Sequence, residues 1–148
     1  MTTKKIRITG AQLSFPVGAI QENKRKILDA LEFGELNQSD IVVFPELALT
    51  GYPPEDLLLR ESFVGKNFAV LEEIAEFTTS SSAIIGFVDR TMNKQKNDMT
   101  SRRIANAAAI VQNGDVKGIY HKTYLPNYSV FDEARYFSAG NDAGKIFW

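Results

Sequence analysis

Three residues of this chain are the best suited to chemistry: Glu46, Lys122 and Glu133. Glu46 stands in Phe44-Pro45-Glu46, directly after a short apolar run. A carboxylate just past the end of a buried strand lies where open α/β sheets place their sites. Partly buried there, it would suit a general base working near neutral pH. Taken alone, the segment reads better as a loop glutamate capping the next stretch of chain. Lys122 comes at the end of an expected hairpin. A lysine at a strand end is ordinarily a solvated surface group. Pointed into one cleft with Glu46, it could hold that carboxylate's charge and stabilise an oxyanion formed on an amide carbon. Glu133 ends the run Leu125-Pro126-Asn127-Tyr128-Ser129-Val130-Phe131-Asp132-Glu133, which mixes aromatic and acidic residues. It is a second carboxylate able to join the site, and surface ion pairing of Asp132 and Glu133 is the competing reading. Long loops inside compact domains are usually functional or disordered, and Tyr128 and Phe131 argue against disorder. His121 reads as structural, because no acid near it in sequence would orient it in a triad.

The elements that must position these groups follow an alternating order. Residues 5–13 read as a strand, broken by Pro16 and Gly18. Ile20, Ile27, Leu28, Leu31 and Phe33 recur at mostly helical spacing, so residues 19–36 are predicted helical, ended by Asn37 and Ser39. Ile41-Val42-Val43-Phe44 suits a strand buried on both faces. Residues 45–54 form a Gly- and Pro-containing loop, and 57–77 a second helix with the stripe Val64, Phe68, Leu71 and Ala75. Residues 83–88 are a further buried strand, and 89–103 a long polar connection. Residues 104–111 and 116–120 are strands around Asn113-Gly114, a strong hairpin signal. Residues 122–140 read as a long loop. The pattern is α/β.

Composition narrows the function classes. The chain has 148 residues, 44% of them hydrophobic and 24% charged, so it can bury a core. Seventeen basic against eighteen acidic residues give no reason to expect nucleic acid or a membrane surface as partner. With no cysteine and one histidine, a disulfide framework, a thiolate metal site and a histidine-based zinc site are excluded or disfavoured. No segment approaches the roughly 20 apolar residues of a membrane span, and a cytoplasmic protein is the expectation.

Longer motifs add what single residues cannot. Phe44-Pro45-Glu46-Leu47 after a strand, with Lys122 followed by Leu125-Pro126, resembles the nitrilase superfamily of carbon–nitrogen hydrolases. Ala11-Gln12 and Asn23 extend the likeness. Within that superfamily, the run from Pro45 through Thr50-Gly51-Tyr52-Pro53-Pro54-Glu55-Asp56 to Leu58 is similar to the glutaminase domain of glutamine-dependent NAD synthetases. So are Leu125-Pro126-Asn127-Tyr128 with Val130-Phe131-Asp132-Glu133 and Arg135-Tyr136-Phe137. The resemblance covers essentially the whole chain. It implies a four-layer α-β-β-α sandwich, of which residues 1–148 would be the N-terminal portion, incomplete at the C-terminus and without the synthetase domain.

The resemblance also implies a Glu-Lys-Cys triad. Glu46 matches the general base, Lys122 the transition-state stabiliser, and Glu133 an additional glutamate near the triad. Tyr52, Tyr128 and Phe131 match substrate-pocket positions. The implied substrate is glutamine, whose ammonia would amidate deamido-NAD to NAD in an ATP- and magnesium-dependent domain. Lys145-Ile146-Phe147-Trp148 reads as the opening of a strand, so the chain is expected to be cut inside a domain, before the cysteine. Two other readings compete: a nitrilase-type hydrolase of another small amide, and a non-catalytic folded fragment. Half a sandwich would leave an apolar sheet face uncovered, so association into homo-oligomers is expected.

Overall fold

A computed structural model describes residues 5–91, 103–141, 144 and 146–147. Five strands form one sheet in the order β1 (Ile8–Gly10), β2 (Ile41–Val43), β3 (Ser82–Thr91), β4 (Arg103–Gln112) and β5 (Asp115–His121). The first three run parallel, and β4 and β5 are antiparallel to their neighbours. Parallel neighbours need crossovers, and two helices supply them: α1 (Ile20–Leu36) and α2 (Glu61–Ala75).

Both helices bury their apolar stripes on the same face of the sheet. Ile20, Ile27 and Leu31 of α1, with Val70, Leu71, Ile74 and Ala75 of α2, share one core with Val42, Ala83, Ile85, Phe87, Ala107, Ala109 and Val111. Those strand positions are paired across the ladders, Val42 with Ala83, Ile85 with Ala109, Phe87 with Ala107. Strand side chains alternate, so Ile41, Val43, Ile84, Ala108 and Ile110 lie on the opposite face, where each is only half-buried. Asn37 ends α1, as expected: its side-chain and backbone N–H groups both donate to the Phe33 carbonyl, at 2.8 and 3.1 Å.

The edge of β3 shows how the chain satisfies a strand longer than its neighbour. β2 pairs with β3 only as far as Ile84. The carbonyls beyond it still need donors. Phe44 N–H donates to the Ile84 carbonyl at 2.9 Å and Leu49 N–H to the Gly86 carbonyl at 3.1 Å. The next group, Val88 O, accepts from the buried Asn67 Nδ2 of α2 at 2.6 Å, and Val88 N–H donates back to Asn67 Oδ1 at 3.4 Å. The turn 44–49 therefore lies flat on β3. It touches at Gly86, where a Cβ would come within 2.4 Å of both the Leu47 nitrogen and the Pro45 oxygen. Leu47, fully buried, takes a positive φ of 48° to complete that turn.

Several elements differ from the sequence reading. The first strand is three residues rather than nine, because β2, its one partner here, is itself three residues long. The helix expected over 57–77 is two pieces. A 3-10 turn, Glu55–Leu59, precedes α2, and Arg60 between them is extended (φ −91°, ψ 111°). That break lets Leu58 turn inward onto Leu47, Val64 and Val88. Residues 89–91 and 103 extend β3 and β4 instead of starting a connection, and 92–102 lie outside the described residues. The segment 122–140 carries a short helix, α3 (Glu133–Tyr136), and a bridge from Phe137 to Ile104 of β4. Ile146 and Phe147 are not in a strand, while Lys145 and Trp148 lie outside the described residues.

Two substitutions test this account. Asn67→Leu keeps volume but strands a buried N–H and a buried C=O of Val88. At roughly 1–3 kcal/mol per orphaned group, the chain should lose about 2 kcal/mol or more in a denaturant melt. Gly86→Ala should cost about 1–3 kcal/mol by overpacking. The amide resonances that move most should be those of residues 45–49; shifts confined to β4 would contradict the close approach.

Candidate active site

β2 and β5 run in the same direction through the sheet, and β4 runs against them. The ends of β2 and β5 and the start of β4 therefore meet at one edge, which is where Glu46, Lys122 and Asn106 stand. The backbone of Lys122 is fixed on both sides: its N–H donates to the Asn106 carbonyl at 2.8 Å, and its carbonyl accepts from Gly140 N–H at 2.9 Å. Gly140 can approach because a Cβ there would meet the His121 carbonyl at 2.4 Å. α3 is held against the start of β4 by the Phe137–Ile104 bridge, which brings Glu133 to the same place.

The three side chains meet at the Lys122 ammonium. Its Nζ donates to Glu46 Oε1 at 2.7 Å and to Glu133 Oε1 at 3.1 Å. Glu133 Oε2 is also 3.0 Å from Nζ, in ion-pair range though outside hydrogen-bond geometry, so that buried oxygen takes no hydrogen bond among the described residues. An ammonium has three donors, and two are committed here. Glu133 is buried, whereas the Glu46 side chain remains 46% exposed. The partial burial expected of Glu46 is thus not what holds it; two hydrogen bonds do. The second comes from Asn106 Nδ2, 2.6 Å from the same Oε1.

Tyr52 completes the inner wall. Its hydroxyl donates to Glu133 Oε1 at 3.0 Å. Burial, then the hydrogen bond and charge of Glu133, push the phenol up to about 12, so Tyr52 stays a neutral donor at physiological pH. For Lys122, burial works against the charge, but the hydrogen bonds and charges of Glu46 and Glu133 together outweigh it and raise its pKa above the ordinary lysine value. Lys122 is therefore a fixed cation, suited to stabilising an oxyanion and unsuited to acting as a base.

Two cavities flank this cluster. One of about 260 Å³ opens on the sheet face away from the helices, between Glu46, Lys122, Asn106, Gly86 and Tyr120. The other, about 480 Å³, lies between the 3-10 turn and α3 and includes Tyr52, Phe131, Glu133 and Tyr136. Its far wall is tied by Tyr136, whose hydroxyl donates to Asp56 Oδ1 at 2.7 Å. Tyr128 does not line it; it is exposed and packs edge-to-face on Phe131 with ring centroids 5.7 Å apart.

Sequence reasoning missed two partners. Asn106 carries no motif of its own, and only the β4–β5 register reveals that it adjoins Lys122. His121 has an acid after all: Asp89 Oδ2 lies 2.6 Å from its Nε2. The pair reaches across β4 over the small Ala105 and Ala107, which are their ladder partners. Distance in sequence, 32 residues, hid the contact. The pair lies on the helix-bearing side, since His121 is registered with Ala107, and takes no part in the Lys122 cluster. Among the described residues, no group of three or more histidine, cysteine, aspartate or glutamate side chains is placed to hold a metal ion, and no helix is long and apolar enough to cross a membrane.

Known proteins share both the sequence and the fold. Residues 7–147 match the family described as Carbon-nitrogen hydrolase. A glutamine-dependent NAD(+) synthetase from Thermotoga maritima is 42% identical over 141 residues, covering 94% of this chain and 23% of that protein. The crystal structure of such a synthetase from Cytophaga hutchinsonii superposes with a TM-score of 0.83 at 31% identity, over 94% of this chain and 22% of that one. An amidase from Nesterenkonia, at 22% identity and a TM-score of 0.71, shares the fold over 93% of this chain and 49% of its own. The chain thus spans about a quarter of the length of the curated relatives it matches. The sheet and its two helices form one side of the nitrilase-type α-β-β-α sandwich. The match over 7–147 decides the family: the chain belongs to the carbon–nitrogen hydrolases.

Proposed function

We propose that this chain supplies the base and the cation of a glutaminase site, which releases ammonia for amidation of deamido-NAD to NAD. One observation carries the reading: the Lys122 ammonium is seated between Glu46 and Glu133 at the carboxyl ends of parallel strands. Several of the relatives are glutamine-dependent NAD synthetases, which supports glutamine as the amide. Glu46 takes the proton of an attacking thiol and later activates water. The uncommitted N–H of Lys122 meets the oxyanion of the tetrahedral intermediate. The smaller cavity beside Glu46 and Lys122 would take the substrate amide. Tyr52 and Phe131 line the neighbouring cavity, which would hold the rest of the glutamine, and Tyr128 packs edge-to-face on Phe131. ATP and magnesium belong to the amidation step, and no residue of this chain is assigned to either.

The chain contains no cysteine, so the nucleophile comes from outside these residues. The half-covered apolar sheet face, with Ile41, Val43, Ile84 and Ile110, supports assembly with further protein, a homo-oligomer included.

The first expected outcome is that the chain alone releases no ammonia from glutamine; turnover abolished by Glu46→Ala would overturn this. The second uses a graft. Residues 7–147 replace the matching segment of the Thermotoga maritima synthetase, and NAD formation is followed with glutamine and, as control, with free ammonia. The graft should work with both. Lys122→Met within it should abolish glutamine use and spare ammonia use. Hydrolysis of other small amides but not glutamine would replace this reading with that of a different amidase.

The third concerns stability and pH. Lys122→Met leaves the buried Glu133 carboxylate without its cation, which should destabilise the chain by about 3 kcal/mol at neutral pH. Glu133→Gln should restore part of the loss. Because the folded-state pKa of Lys122 is raised, its contribution is complete below the ordinary lysine value of about 10.5 and fades as pH climbs through the raised value. The gap between wild type and Lys122→Met melts should therefore stay constant from pH 7 to 9 and narrow only in stronger alkali.

A further inference from the structure

The two oxygens of Glu46 are not equivalent. Oε1 accepts hydrogen bonds from Lys122 Nζ at 2.7 Å and from Asn106 Nδ2 at 2.6 Å. Among the described residues, no donor reaches Oε2. Lys122 alone could not enforce this difference. A lysine head is a compact charge on a flexible stem, and a carboxylate that turns about its last bond offers either oxygen to it. The amide is different. Asn106 is buried, with 3% of its surface exposed, and sits near the start of β4 with β3 and β5 on either side. It is registered with Val88 on β3, and its carbonyl accepts from Lys122 N–H. Its side chain reaches Glu46 from a fixed point, so the pair of donors defines a plane and a handedness for the carboxylate.

We propose that Asn106 is a positioning residue for amide hydrolysis: with Lys122 it occupies Oε1 of Glu46, leaving Oε2 as the oxygen that takes and returns the proton. This rests on the glutaminase reading above for its chemistry, though the contact itself does not.

The proton balance supports the assignment. When a thiol S–H bond breaks, its electron pair stays on sulfur and the proton forms an O–H bond at Glu46. Protonation at Oε1 would put a hydrogen where two donors already point, and both hydrogen bonds would have to break. Protonation at Oε2 keeps them. Oε2 gives that proton to the amide nitrogen as the C–N bond breaks and ammonia leaves. The same oxygen then takes a proton from the attacking water and returns it to sulfur as the C–S bond breaks, so the carboxylate need not turn between steps. Glu46 lines the 260 Å³ cavity together with Asn106 and Lys122, which is where the reacting atoms would enter.

Two experiments decide it. In the chain itself, a double-mutant cycle of Asn106→Leu and Glu46→Gln, read by urea melts, measures the contact. A charge-assisted hydrogen bond should couple the two sites by about tenfold in the unfolding constant. Additive effects would overturn the proposal. In the grafted synthetase, Asn106→Leu should lower kcat for glutamine by about tenfold or more, with KM within about twofold and ammonia-dependent NAD formation unchanged. Asn106→Asp, which faces Glu46 with a like charge and no donor, should fall at least as far. A raised KM at unchanged kcat, or wild-type kcat in either variant, would overturn the positioning role. If the unsubstituted graft uses ammonia but not glutamine, the glutaminase reading fails, and the positioning role, which rests on it, fails too. The cycle would then report the Asn106–Glu46 contact alone.

Discussion

One ammonium between two carboxylates governs the rest of this structure. Glu133 is buried, and a buried carboxylate is tolerated only with a cation and hydrogen bonds beside it. Lys122 is the cation and Tyr52 the hydrogen bond. Those three residues come from β5's end, from α3 and from the loop after β2. Seating the charge therefore forces three distant parts of the chain to meet at one edge of the sheet. Glu46, much more exposed, joins as the second carboxylate; its backbone is set by the turn it rides on and its side chain by the hydrogen bonds from Lys122 and Asn106, not by burial.

That turn is built by substitution of one kind of pairing for another. Where β2 stops, the free edge of β3 would expose a row of carbonyls. Backbone N–H groups of Phe44 and Leu49, then the side chain of Asn67, meet them in succession. The hydrogen bonds of a sheet are thus kept without a strand. The released backbone can then bend to aim Glu46 across the sheet toward β4 and β5. The positive φ of Leu47 and the bare Cα of Gly86 are two consequences of pressing a turn flat against a strand.

Much of this was legible in the chain because periodicity reports burial. The two helices, the central strands and the Asn113-Gly114 hairpin each follow from apolar spacing or turn chemistry within a short window. The break at Arg60 was not legible, since the apolar spacing runs through it; the inward turn of Leu58 is a tertiary demand. The polar ends of β3 and β4 were hidden for the opposite reason. Asp89 looks like a loop residue until His121 is found beside it across two alanines. In the site, Glu46, Lys122 and Glu133 could be named from their motifs, and the structure brings the three within hydrogen-bonding distance. Asn106 could not, because its significance lies in a ladder register 16 residues from Lys122 and 60 from Glu46.

The charge count of the cluster bears on what can complete it. Two carboxylates and one ammonium leave a single negative charge before any nucleophile arrives. Bringing in an anion already formed would add a second charge to a cluster that has one cation. Bringing in a neutral thiol adds none, and moving its proton to Glu46 relocates the negative charge from oxygen to sulfur without increasing it. In the proposed reaction, that charge would move again as the tetrahedral intermediate forms, to an oxygen that the third Lys122 N–H could meet. On the glutaminase reading, the arrangement favours a nucleophile that enters protonated and is activated in place, beside a Lys122 whose charge the two carboxylates sustain.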